Sequence, residues 1–323
     1  LLALLGATIT GTPRFAPAPL RESSPAATAS SQDLRPEILA LLSSGLIPGS
    51  PTPLETTLVQ HFYAADAAPV WIDDAGGPSA AGRQALDLLA GADSHGLAPA
   101  RYALTASPDN VVSFEVELTL AMLRFMDDIS TGRVDPASLG FQLPAGLDAA
   151  ALPGLLRTHA SAGRTSAAVS AAMPVVGNYE GVRHALATYR VLASEPETPA
   201  LPTGAPSIHV GDPLPWAPAL RARLERLGDL PPTTGPDAGY SPALEAGVKS
   251  FQRRHGLTDD GVLGKATITA LNVPLSVRVR QLELALERLR WLPRDLDGPV
   301  ILVNIPMFRL WAWDDIASSG RPD

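Results

Sequence analysis

"YSPALEAGVKSFQRRHGLTDDGVLGKATITALNVP", Tyr240 to Pro274, writes a helix, a turn and a second helix, with punctuation at each joint. Ser241 is a good N-cap, and Pro242 suits the first helical position, where a missing N–H costs nothing. Leu244, Val248 and Phe251 then recur at helical spacing and make one apolar stripe. Gly256 fits the left-handed position that closes a helix. Asp259-Asp260-Gly261 reads as a turn, and Gly264 to Leu271 as a short helix ending at Asn272. Just upstream, "LRARLERLGDL" sets Leu220, Leu224 and Leu227 on one face and stops at Gly228. The expectation is three short helices around one small core over residues 220–274.

Outward from that unit the chain alternates between helical text and proline. Residues 196–219 are proline-rich and read as a semi-rigid linker that packs against something rather than a free coil. Before it, residues 36–195 read as a helical domain. "EVELTLAMLRFMDDISTGRV" places Val116, Leu120, Leu123 and Met126 on one apolar face, closed by Gly132 with Pro136 beyond. "NYEGVRHALATYRVLA" repeats the pattern through Tyr179, Val182, Leu186 and Tyr189. After the small unit, Ser276 to Trp291 predicts one more helix, with Val279, Leu282, Leu286 and Leu289 along one side. Arg278, Arg280, Glu283, Glu287, Arg288 and Arg290 read as its solvated face. "VILVNIPMFRLWAWDD" from Val300 then alternates like two strands around Pro306, with Ile301, Val303 and Ile305 in the first and Phe308 and Leu310 in the second.

At about 150 residues per domain, 323 residues make about two domains plus connections. A net charge of −8 argues against nucleic acid, which asks for a basic face. The absence of cysteine removes disulfides, thiolate metal sites and thiol nucleophiles from these residues. The opening "LLALLGATIT" resembles the tail of a secretory signal's apolar core, or a membrane anchor, although it is shorter than the ~20 residues of a span. A buried segment is the alternative. A Pro/Ala/Ser-rich tether follows, to about residue 35.

Residues Phe251, Gln252, His255, Gly256, Leu257, Asp260, Gly261, Gly264, Thr267, Leu271 and Asn272 together resemble the peptidoglycan-binding domain of bacterial wall enzymes. The junction "RQLELALERLRWLP" to "ILVNIPMFRLWAW" resembles that of large L,D-transpeptidases, between binding and catalytic domains. "HFYAADAAPVWID" (61–73), "DSHGLAPARY" (93–102) and the two helices quoted above resemble the scaffold domain of those enzymes. The fold class this implies is mainly α: a helical scaffold, a three-helix binding domain, a linker helix, then the first β-hairpin of a β-rich catalytic domain over residues 275–323. The family cross-links stem peptides through a cysteine acyl-enzyme, needs no cofactor or metal, and works in the periplasm. Its Ser/Thr-His-Gly-Cys segment is not in this chain, so the expectation is a catalytic domain that is only begun here and no catalytic residue in these 323. A non-catalytic wall adaptor and another wall hydrolase with the same binding domain are the rival readings.

Individual residues carry two readings each. Arg253, Arg254 and His255 are either a solvated helix end, whose cations suit the dipole, or contacts to stem-peptide carboxylates and sugar hydroxyls. Asp259 and Asp260 read as turn formers. Ser94-His95-Gly96-Leu97 has three letters of the nucleophile motif but reads as a helix end. "DGVLGKAT" has the wrong spacing for a phosphate loop. His61, His159, His184 and His209 are scattered without a metal-binding spacing, and Trp71 and Trp216 read as packing rather than sugar platforms. The expected partner is peptidoglycan.

Overall fold

The computed structural model describes residues 33–313, apart from 50, 108, 144–146, 176–177, 205, 233–238, 294–298 and 305–308. The N-terminal apolar run and most of its tether, with Ile305, Pro306 and Phe308, lie outside the described residues. Among those described, the fold is mainly helical: α1 (Arg35–Ser44), α2 (Pro53–Tyr63), α3 (Ala80–Ala90), α4 (Val111–Thr131), α5 (Leu152–Ser161), α6 (Thr165–Ala172), α7 (Tyr179–Ser194), α8 (Ala217–Leu227), α9 (Pro242–Arg254), α10 (Lys265–Leu271) and α11 (Leu275–Arg290). β1 (Val300–Asn304) and β2 (Arg309–Trp313) pair antiparallel, Val300 opposite Trp313 and Asn304 opposite Arg309. No described helix is long and apolar enough to cross a membrane.

The first core belongs to α1 to α6, wrapped around α4. One apolar face was the expectation for α4; the helix is buried on every side instead. Glu115, Glu117, Thr119 and Asp128 are all sunk beside Leu118, Leu120 and Met122. A buried carboxylate is tolerable only when hydrogen bonds replace its lost water. Glu115 accepts from the backbone N–H of Val70 and of Trp71, both at 2.8 Å, and from the Tyr63 hydroxyl at 3.0 Å. Glu117 accepts from the N–H of Thr105 at 2.9 Å and of Ala106 at 2.6 Å. Asp128 accepts from the Tyr102 hydroxyl and from Arg101, each at 2.6 Å. The polar face of α4 thus holds the loops that cross it. Trp71 is fully buried there, its indole N–H donating to Thr119, in agreement with the packing reading.

The second core joins α8, α9 and α10 through Leu220, Leu224, Leu244, Val248, Phe251, Ile268 and Leu271. Ser241 caps α9 by accepting from the Leu244 N–H at 3.3 Å. The proline-rich stretch feeds the same core with Leu201, Leu214 and Ala217, and Ile208 bridges to Leu263. Gln252, buried at the C-terminal end of α9, ties the turn to both helices. Its amide N–H₂ reaches Asp260 and Thr267, and its carbonyl accepts the Gly261 N–H at 2.8 Å.

Helix α11 lies antiparallel along α7, sharing a third small core of Tyr179, Leu186 and Leu286. Three of its charged residues, Glu283, Glu287 and Arg290, form a seam with α7 and with loops of the scaffold, so the face is not uniformly solvated. Glu283 takes Arg190 at 3.0 Å. Glu287 accepts from the N–H of Arg133 at 2.6 Å and of Val134 at 2.8 Å. Arg290, 2% exposed, donates to the His95 carbonyl and to the Tyr179 hydroxyl. Only Arg280 and Arg288 of that face are exposed. Gly132, at φ 84°, lets α11 come this close: a Cβ there would sit 2.7 Å from Glu287 Oε1 and 2.9 Å from Trp291 Nε1.

Candidate functional site: a cationic cleft at the junction

The cleft of about 210 Å³ sits where α7, α8, α9 and α11 converge with residues 197–200 and 270–275. The order of these pieces in space follows from the seam. By docking α11 on α7, it sets Arg278, early in α11, beside Tyr189, late in α7, and both beside the end of α9.

Arg223 of α8 is the framework of the cleft. Its guanidinium, 7% exposed, has no carboxylate in ion-pair contact among the described residues. It donates instead to the carbonyls of Pro199 at 2.6 Å and Leu271 at 2.8 Å, to Thr198, and to Asn272 Oδ1 at 2.7 Å. Asn272 in turn pairs with both backbone groups of Leu201, at 2.8 and 2.9 Å. That is why the third helix must stop on an asparagine: its amide stands in for a strand. Arg226 donates to the Pro196 and Leu192 carbonyls, with Glu195 beside it at 3.5 Å. Arg278 uses two of its five N–H donors, on the Ala270 carbonyl and on Gln281, and burial pulls its guanidinium below the ordinary range.

The three residues singled out from the sequence diverge. Arg253 is exposed and pairs with Asp259 at 3.4 Å across the turn. Arg254 points the other way, to Asp229 and, at 2.6 Å, to the Tyr189 hydroxyl of α7, so it holds α9 against the seam. His255 lines the cleft with its ring stacked on Phe251, centroids 3.9 Å apart. Burial, then the nearby Arg254 and Arg278, push it down to about 4. It is neutral at pH 7. Its Nδ1 lies 2.9 Å from the Phe251 carbonyl, which can only accept, so Nδ1 carries the proton and Nε2 stays an acceptor.

His95 is a structural residue, as its sequence context suggested. It is 5% exposed, closes a short turn before left-handed Gly96, and shares a hydrogen bond with the Tyr179 hydroxyl at 3.1 Å. Burial, then Arg183 and Arg290, push it down to about 3. The sequence reading passed over Arg223 and put Arg278 on a solvated face, whereas both line the cleft, because neither belongs to a local motif. The seam had a visible signal: Glu283, Glu287 and Arg290 fall at steps of four and three, the spacing of one helical face.

Comparison with known families matches this architecture in two places. Residues 57–186 match the family described as a scaffold domain, and residues 218–271 match the family described as "Putative peptidoglycan binding domain". No curated protein matches the chain. The chain therefore carries a helical scaffold domain followed by a peptidoglycan-binding domain, with the cell wall as the binding domain's partner.

Proposed function

We propose that these residues are the wall-engaging part of an L,D-transpeptidase of the bacterial periplasm. In this reading they hold murein while a cysteine outside these 323 residues forms the stem-peptide cross-link. The observation that carries the reading is the order of the two matched domains, scaffold then binding domain, followed by α11 docked on α7 ahead of β1. That order has a use: a held substrate meets a catalytic group at high effective concentration. Within this reading Arg253 offers an exposed cation to the wall, His255 offers a neutral acceptor, and Arg254 acts by keeping α9 in place. The N-terminal apolar run would deliver or anchor the protein at the membrane.

The test is a protein extended through the codons that follow Asp323 in its gene. It should convert tetrapeptide-stem muropeptides to cross-linked dimers, and iodoacetamide should abolish that activity. Activity indifferent to thiol alkylation, or cross-linking by the 323 residues alone, would overturn the proposal. An adaptor role would show as wall binding with no turnover in any extended form.

A further inference from the structure

The cleft carries more positive charge than its architecture uses. Arg223, Arg226 and Arg278 line it against one lining carboxylate, Glu197, whose Oε1 already accepts the Leu275 N–H at 3.2 Å. Glu195, outside the lining, answers Arg226 at 3.5 Å, which leaves Arg223 and Arg278 without an ion-pair partner among the described residues. Arg223 is consumed by carbonyls, which satisfy its hydrogens but not its charge. Arg278 is half-buried with no carboxylate in ion-pair contact among the described residues. Desolvated guanidiniums without a counter-charge favour an anion, and the planar fork of arginine matches a carboxylate. Beside the polar Tyr189, Thr198 and Asn272, the lining carries an apolar strip of Ala270, Val273, Pro274 and Leu275 and the Phe251–His255 stack.

Size narrows the ligand. A volume of about 210 Å³ falls below the ~300–1,000 Å³ that encloses a drug-sized molecule. The cleft holds the end of a ligand, not a disaccharide. An anionic head, a small apolar group and an amide that can meet an acceptor describe a peptide ending in a small residue.

We propose that this junction cleft binds the free C-terminal carboxylate of a short peptide with a small apolar last residue, held by Arg278 with Arg226 and by the apolar strip 273–275. The proposal rests on the peptidoglycan reading and deepens it: the stem peptide's end enters where α11 leaves the binding domain.

The probe is N-acetyl-alanyl-alanine, in D,D and L,L forms, titrated at low salt into the ¹⁵N-labelled 323-residue chain. The acid should shift the Val273 and Leu275 amides saturably at millimolar concentration. Its C-terminal amide should shift them at least tenfold more weakly, and so should acetate alone. Arg278→Gln should weaken the acid at least tenfold, whereas Arg278→Lys, which keeps the charge but loses the fork, should weaken it by a smaller factor. Should the Gln variant melt well below wild type, the Lys variant and the acid-against-amide comparison carry the test. Equal shifts by acid, amide and acetate, or none near residues 270–278, would overturn the proposal. If the dipeptide fails while purified sacculi still pellet the chain, only the cleft assignment falls. If the sacculi fail as well, the wall-binding reading falls with it.

Discussion

The scaffold and the junction bury charges of opposite sign and treat them differently. Around α4 the buried groups are carboxylates, and each is surrounded by donors from loops that have nowhere else to go. At the junction the buried groups are guanidiniums, and they are met mainly by carbonyls, with open volume beside them. A carboxylate closed in by backbone N–H groups is a fastener, since its charge is answered where it sits. A guanidinium held by neutral carbonyls beside a cleft is positioned but unanswered. The lesson is that burial of charge alone does not mark a site; a surplus facing open space does.

The contrast has measurable consequences, and the largest should come from the closed side. Glu115→Ala leaves the backbone N–H groups of Val70 and Trp71 without a partner, while the Tyr63 hydroxyl keeps the residue-115 carbonyl at 3.3 Å and the Thr119 hydroxyl at 2.8 Å. At ~1–3 kcal/mol for each stranded group, the expected loss is about 4 kcal/mol by urea unfolding. A loss below about 1 kcal/mol would mean that water reaches this layer, and the distinction between the regions would blur. Arg223→Met also removes several hydrogen bonds, but water in the cleft can reach some of the freed carbonyls. Its cost should be smaller, about 2 kcal/mol, measured the same way.

The seam between the two regions should report through pH. His95 is held neutral by burial and by Arg183 and Arg290, with its pKa lowered from 6.5 to about 3. Between those values the unfolded chain binds the proton and the folded one does not. Stability is therefore present above about pH 6.5 and falls as pH drops toward 3, at up to ~1.4 kcal/mol per pH unit from this group. Glu115 and Asp127, raised by burial, push the opposite way as pH rises, so the comparison must be between variants. His95→Gln should flatten the decline between pH 6.5 and 4.5 relative to wild type. Parallel profiles would remove His95 as the cause. The smallest effect belongs to Arg253, exposed and paired only across a turn: Arg253→Ser should move stability by less than about 0.5 kcal/mol.

Local chemistry was legible in the sequence; long-range charge was not. Ser241, Gly256 and Asn272 announced the ends of α9 and α10, and Leu244, Val248 and Phe251 their core, because caps and stripes act within a few residues. The likeness of residues 240–274 to a peptidoglycan-binding domain was readable for the same reason. The second face of α4 was not, since Glu115 and Asp128 look like solvent residues until loops 45 and 26 positions away supply donors. The cleft was least legible of all. Tyr189, Arg223, His255 and Arg278 come from four helices or their ends, and only the docking of α11 on α7 brings them together. Arg254 illustrates the limit: a helix-end cation by sequence, it is a bolt between α9 and α7 in the fold.

The most direct measurement for the whole account is co-sedimentation of the 323-residue chain with purified peptidoglycan sacculi across a salt series. The account predicts that the chain pellets at low salt and is released progressively as salt screens the cleft's guanidiniums and Arg253, whose exposed field reaches only ~8–10 Å at physiological ionic strength. A correctly folded chain that stays in the supernatant at every salt concentration would contradict it.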